Sequence, residues 1–136
     1  MDTSVLLEAT DEARSGHAAA RAFIELGTRL VLSAQVIREF LVVATRPVTA
    51  NGLEMTLADA MENVCEFRRI IRLLPEERPV LPTFLSLLAE TSCRGKRIHD
   101  AHLVATAIAH RVASIVTLNT DDFWQFRSRV KILAPP

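Results

Sequence analysis

Short apolar runs of strand type alternate along this chain with longer stretches whose apolar residues recur at helical spacing. Residues 17–27, HAAARAFIELG, read as a helix that ends at Gly27, a residue suited to the C′ position. Arg29-Leu30-Val31-Leu32-Ser33 is a short apolar run of strand type. Ser33 or Ala34 then opens a helix through about Thr45, which Pro47 stops. Val36, Phe40, Val43 and Ala44, with Ile37 and Leu41, give that helix a wide apolar face. Asn51-Gly52 is a turn signal. Thr56 is placed as the N-cap of a helix over roughly 57–71, with Leu57, Met61, Val64, Phe67, Ile70 and Ile71 as core positions. Residues 72–75 form a short strand, residues 80–92 a further helix, and Arg94-Gly95-Lys96-Arg97 a basic loop. Residues 101–110 form a helix apolar on nearly all sides, which predicts burial. Residues 113–118 and 130–133 are the last two strands, and Phe123, Trp124 and Phe126 are expected to pack as core. This alternation predicts an α/β fold with a central, mostly parallel sheet flanked by helices. Ligands of such sheets sit at the carboxyl ends of strands. Asn119 to Asp122 follow one such end.

With 136 residues the chain fits one domain, and a 49% hydrophobic composition is enough for a core and excludes disorder. Sixteen basic and sixteen acidic residues cancel, so any nucleic-acid binding must use a local basic patch. Cys65 and Cys93 have no paired spacing, which argues against a structural zinc site and a disulfide framework. No apolar run approaches the roughly 18 residues that span a bilayer. No basic n-region of a signal peptide is visible, since an acid stands at position 2. A soluble, cytoplasmic protein without membrane contact is the expectation.

Four acidic positions stand at the edges of apolar elements: Asp2, Glu39, Asp100 and Asp122. Each also has an ordinary structural reading. Asp2, beside Thr3 and Ser4, can cap a helix. Glu39 falls at the flank of its helix's apolar face, with Arg38 on the solvent side, and can pair with Arg46. Asp100 can cap the apolar helix that follows and favour its positive end. Asn119 and Asp122 are ordinary turn residues, and spacing does not choose between Asp121 and Asp122. Gathered in one pocket, these oxygens suit hard cations such as Mg²⁺ or Mn²⁺. Ions held that way serve phosphodiester hydrolysis. His99 and His102 stand three apart, not the four of a metalloprotease zinc pair; His110 closes a helix and His17 precedes one. There is no Gly-rich phosphate loop and no serine nucleophile elbow.

Together these residues resemble the PIN-domain nucleases, and within them the VapC-like toxins of toxin–antitoxin pairs. Asp2-Thr3-Ser4 is similar to the opening motif of that family, Glu39 to its helix-borne Glu, and Asp100-Ala101 to its third acidic motif. Thr117, Asn119, Asp122 and Phe123 are similar to its closing Thr-x-Asn-x-x-Asp-Phe. The four motifs run in order over almost the whole chain. The resemblance implies a PIN-like fold with its acids converging at the carboxyl edge of the sheet. It implies an endoribonuclease dependent on Mg²⁺ or Mn²⁺, a homodimer, and a cognate antitoxin that occludes the site. Asp2, Glu39, Asp100, Asn119 and Asp122 are the implied metal set, with the four acids catalytic. Thr3, Ser4 and Thr117 orient those ligands from behind. Arg46, Arg94, Lys96 and Arg97 are the candidate contacts to RNA, with tRNA or rRNA the expected substrate.

The chain departs from the family's pattern at two places. Members carry several residues of apolar strand before the first Asp, whereas only Met1 precedes Asp2 here. A first strand truncated in this way leaves unpaired backbone groups and an Asp2 without a rigid anchor; a misplaced start is the favoured reading over an inactive copy. Asn119 stands where many members have Asp, which lowers the negative charge available to a second ion. Two rival functions follow from the same residues. One is a catalytically inert α/β module that only binds an antitoxin-like partner. The other is a metal-dependent phosphatase of small substrates.

Overall fold

Ser33 and Thr56 each open a helix by accepting the amide of the third residue on. Val36 N–H donates to Ser33 Oγ at 3.3 Å and Asp59 N–H to Thr56 Oγ1 at 3.1 Å. These caps start α3 (Ala34–Thr45) and α4 (Leu57–Ile70) in the computed structural model, which describes residues 1–27, 29–75 and 79–136. The other helices are α1 (Thr3–Thr10), α2 (His17–Leu26), α5 (Val80–Thr91) and α6 (Arg97–Ala109). The strands are β1 (Val31–Leu32), β2 (Arg72–Leu73), β3 (Ser114–Val116) and β4 (Lys131–Leu133). Short 3₁₀ turns occupy Val48–Ala50 and Thr120–Phe126.

The expected α/β alternation is present, but the sheet is smaller than the apolar runs suggest. β1 pairs in parallel with β2, and β3 in parallel with β4, as two separate two-stranded ribbons. The backbone of Met1 and Asp2 lies between them. The Met1 amine donates to Val31 O at 3.0 Å, and Asp2 N–H donates to Val116 O at 2.9 Å. Successive donors pointing to opposite neighbours are what a strand between two others provides. A two-residue stub therefore links the ribbons, and Asp2 is anchored by backbone on the β3 side. The expectation of an unanchored Asp2 is corrected on this point.

The core gathers buried residues of α1, α3, α4 and α6 with those of the strands. Phe40 and Phe67 meet edge to face, with centroids 5.7 Å apart, and both are buried. On α6, Ala101, Leu103, Val104, Ala105 and Ala107 are buried, as its composition predicts. The helix starts four residues before its apolar run, at Arg97, so the basic stretch is only partly loop. On α4 the buried residues are Ala60 and Phe67, continued by Ile71, with Val64 partly buried; Leu57, Met61 and Ile70 are exposed. That corrects three of its expected core positions, because apolarity alone did not fix which side of the helix faces α3. Trp124 is likewise exposed, under the Arg127 guanidinium at 4.0 Å, while Phe123 and Phe126 are buried.

Two glycines are explained by close approach. A Cβ on Gly27 would stand 2.4 Å from Leu30 Cδ1, and Gly27 is the C-cap of α2 with an extended backbone (φ −75°). At Gly52 a Cβ would reach 2.0 Å from Arg46 O, so only glycine lets the Asn51-Gly52 turn dock on the end of α3. No helix among the described residues is long and apolar enough to cross a membrane.

Candidate active site

Asp2 leads directly from the stub into α1, at the N-cap position, but its carboxylate does not cap the helix. Asp2 Oδ2 instead accepts Ser4 Oγ–H and Thr117 Oγ1–H, each at 2.7 Å. Those hydroxyls are themselves acceptors. Leu118 N–H donates to Ser4 Oγ at 3.1 Å, and Asn119 N–H to Thr117 Oγ1 at 3.0 Å. Asp2 and Thr117 are buried. One small network thus sews the start of α1 to the turn after β3, which carries Asn119 and Asp122.

Glu39 projects from α3 toward the same place. Thr3 Oγ1–H donates to Glu39 Oε2 at 2.9 Å, and Gln35 Nε2–H to Glu39 Oε1 at 2.8 Å. His99 Nδ1 lies 3.8 Å from Glu39 Oε1, an ion pair when that ring is protonated. The expected Glu39–Arg46 pair is not among the ion pairs of the described residues. Asp122 receives the Lys96 ammonium at 3.1 Å.

Asp100 differs from the other three. It lies inside the first turn of α6 and is not the residue at its N-cap, which is Lys96, whose side chain makes no capping bond. Its Oδ2 is buried and, among the described residues, has no hydrogen-bond partner. Burial raises its pKa to about 6 from 3.8; Asp122, Asp2 and Glu39 push the same way, and Lys96 opposes them. Asp2, Glu39 and Asp122 line the same cleft, and a buried carboxylate oxygen without a donor there is an acceptor that a cation could satisfy.

These side chains line one open cleft of about 660 Å³ at the carboxyl ends of the stub and the strands. Asp2, Glu39, Asp100, Asn119 and Asp122 all face it, with Thr3 and Ser4 beneath them; Asp121 does not line it. Of the four expected RNA contacts, Arg46 and Lys96 line the cleft, while Arg94 and Arg97 are exposed and do not. The basic stretch splits because α6 begins within it. Gln35, Arg38 and His99 also line the cleft and are absent from the expected set. Gln35 lies one helical turn before Glu39, a spacing that makes them neighbours; Arg38 is exposed yet reaches the rim.

Among the described residues, no three His, Cys, Asp or Glu side chains form a ready-made metal cage. The hydrogen bonds account for this. Asp2, Glu39 and Asp122 are each held by a protein donor, and like charges without a cation gain nothing by closing further. The donor set nonetheless fits a hard divalent ion, since it is oxygen throughout and includes the orphaned Asp100 Oδ2.

An α/β frame with four carboxylates lining one cleft at its strand ends defines a recognisable class of protein. The family follows from comparison: the PIN domain pattern matches residues 1–128, and the chain belongs to the PIN-domain family, whose members are generally nucleases. No curated protein matches it.

Proposed function

We propose that this protein is a divalent-metal-dependent endoribonuclease and the toxin of a toxin–antitoxin pair. The observation that carries the metal site is the partnerless Asp100 oxygen, buried in a cleft with three other carboxylates. Asp100, Asp2 and Asp122 would hold Mg²⁺ or Mn²⁺, with Asn119 as a neutral ligand. Such an ion would supply Lewis-acid activation of the phosphodiester and of the attacking water. Glu39, held on both oxygens by Gln35 and Thr3, would act as the proton acceptor of the hydrolysis. Arg46 and Lys96 supply positive charge along the cleft wall for the RNA backbone. The toxin role, the antitoxin that would cover the cleft, the homodimer, the cytoplasmic location and tRNA or rRNA as substrate rest on the resemblance of the four motifs.

Purified protein is expected to cut total tRNA or rRNA with Mg²⁺ or Mn²⁺ and not with EDTA. A small phosphate ester offered in parallel should stay intact. Cutting of the ester alone would point to the phosphatase, and no cutting with no metal uptake to the inert binding module.

Asp100 also predicts a proton linkage. A cation must displace the proton that this carboxyl holds below about pH 6. Mn²⁺ affinity is therefore expected to fall as the pH drops through 6, and calorimetric titration near that pH should show proton release that depends on the buffer. A flat affinity across the window would remove Asp100 from the metal set.

Lys96→Ala is expected to weaken RNA binding several-fold and to lower the salt slope of log affinity by about 0.7, the share of one phosphate contact. Fluorescence anisotropy in an Asp100→Asn background, over a salt series, reads both. An unchanged slope would show that Lys96 serves only Asp122.

A further inference from the structure

Gln35 is buried in the first turn of α3, between the helices that carry Glu39 and Asp100. Its amide is fully engaged. Nε2 donates to Glu39 Oε1 at 2.8 Å and to the backbone carbonyl of His99, in the first turn of α6, at 2.9 Å. Neither partner can donate, so the orientation of the amide is determined: NH₂ toward Glu39 and His99, carbonyl toward α6. That carbonyl meets His102 Nδ1 at 2.5 Å. An amide oxygen can only accept, so His102 must carry its proton on Nδ1. Phe84 packs edge-on against the His102 ring, with centroids 5.1 Å apart, and restrains its rotation.

We infer that Gln35 is a positioning residue for the acidic cleft, with His102 as its brace. The amide fixes which way the Glu39 carboxylate faces. By bonding α6 at His99 and His102, on either side of Asp100 in the chain, it also sets the separation of Glu39 from Asp100. Among the described residues, the other groups that hold Glu39 are Thr3 and, at a longer approach, His99. Loss of the amide frees one carboxylate oxygen and uncouples the two helices. This rests on the metal-site reading proposed above. Residues that orient a ligand from behind typically contribute a factor of about 10–100 in metal affinity.

The test uses two variants and two readouts. Gln35→Ala removes the brace; Gln35→Met keeps the length of the side chain and removes both hydrogen-bonding ends, so it guards against a packing defect. Imidazole ¹⁵N shifts at alkaline pH report the His102 tautomer without any metal. Mn²⁺ affinity, read from the free-ion EPR signal, reports the cleft. The expected result is an Nδ1–H His102 in the parent protein, loss of that signature in both variants, and Mn²⁺ affinity about tenfold weaker or more in both. An Nε2–H tautomer in the parent protein overturns the relay. Lost tautomer with unchanged Mn²⁺ affinity overturns the positioning role. A parent protein with the Nδ1–H signature that takes up no Mn²⁺, as Asp100→Asn should not, overturns the metal-site reading and the role built on it, while leaving the hydrogen-bonded relay standing.

Discussion

Asp100→Asn is expected to abolish metal-dependent RNA cleavage and, in the absence of metal, to raise the melting temperature. Both effects come from the same burial. The positive end of α6 favours a carboxylate in its first turn by about 0.3–1 kcal/mol, and Lys96 acts the same way. Burial and three neighbouring acids oppose them and win, since the carboxyl titrates at about 6 against an ordinary 3.8. The folded state thus holds this proton more tightly than the unfolded chain. The resulting stability is fully present below about pH 4 and is lost as the pH rises through 6. At neutral pH the ionised Asp100 is a cost to the metal-free fold, and Asn removes the charge with little change in shape. Differential scanning calorimetry in EDTA should show the variant melting a few degrees higher. With Mn²⁺ added the order should reverse, because only the parent protein gains from binding. Cleavage is expected to fall by more than about a hundredfold, beyond what loss of an orienting neighbour produces. A variant that is less stable in EDTA, or that still cuts RNA at the parent rate, would show Asp100 to be a structural residue.

Asp2→Ala is expected to abolish cleavage as well, but to destabilise the fold. Asp2 is an acceptor for two hydroxyls, one of them the fully buried Thr117. Removing the carboxylate leaves Thr117 Oγ1–H without its acceptor in a place water does not reach. It also loosens the Ser4 and Thr117 bonds to the amides of Leu118 and Asn119. Hydrogen bonds to a charged group, and the penalty for an orphaned donor, put the loss at about 2–3 kcal/mol. A urea melt measures it as a lower midpoint at constant slope. Asp2→Asn, which keeps one acceptor oxygen, should recover part of the stability and none of the activity. Equal stability of Asp2→Ala and the parent protein would show that the Asp2–Ser4–Thr117 network carries no weight in the fold. The two acids then form a pair: the same proposed role in metal binding, with opposite signs in stability, because one is supplied with donors and the other is not.

Local chemistry was well represented in the chain. Ser33 and Thr56 are caps because a hydroxyl followed by a free amide three residues on needs no distant partner. Pro47 and Gly52 limit α3 and its turn for reasons confined to a few residues. The order of the four motifs, from Asp2-Thr3-Ser4 to Asp122-Phe123, was enough for the resemblance that the family match supports. Other features depend on what lies across space. Leu57, Met61 and Ile70 sit on the outer face of α4, and Trp124 turns outward, because the position of α3 and the last turn decides which side is covered. Asp121 and Asp122 are equivalent by spacing, and only the docking of that turn against α6 brings Asp122 to Lys96 and the cleft. Gln35 was not singled out in the chain, and two of its three partners lie 64 and 67 residues away.

By itself, then, the sequence determined the helices and their caps, the α/β alternation and the family. All of these are written in neighbouring residues, through periodicity, capping and the order of short motifs. Tertiary structure alone decided that the sheet is two ribbons joined through Met1 and Asp2, that Asp100 keeps an oxygen without a partner, and that Gln35 spans α3 and α6. Each of those depends on which groups from distant segments meet in a space closed to water, where a hydrogen bond made or missed outweighs any local preference.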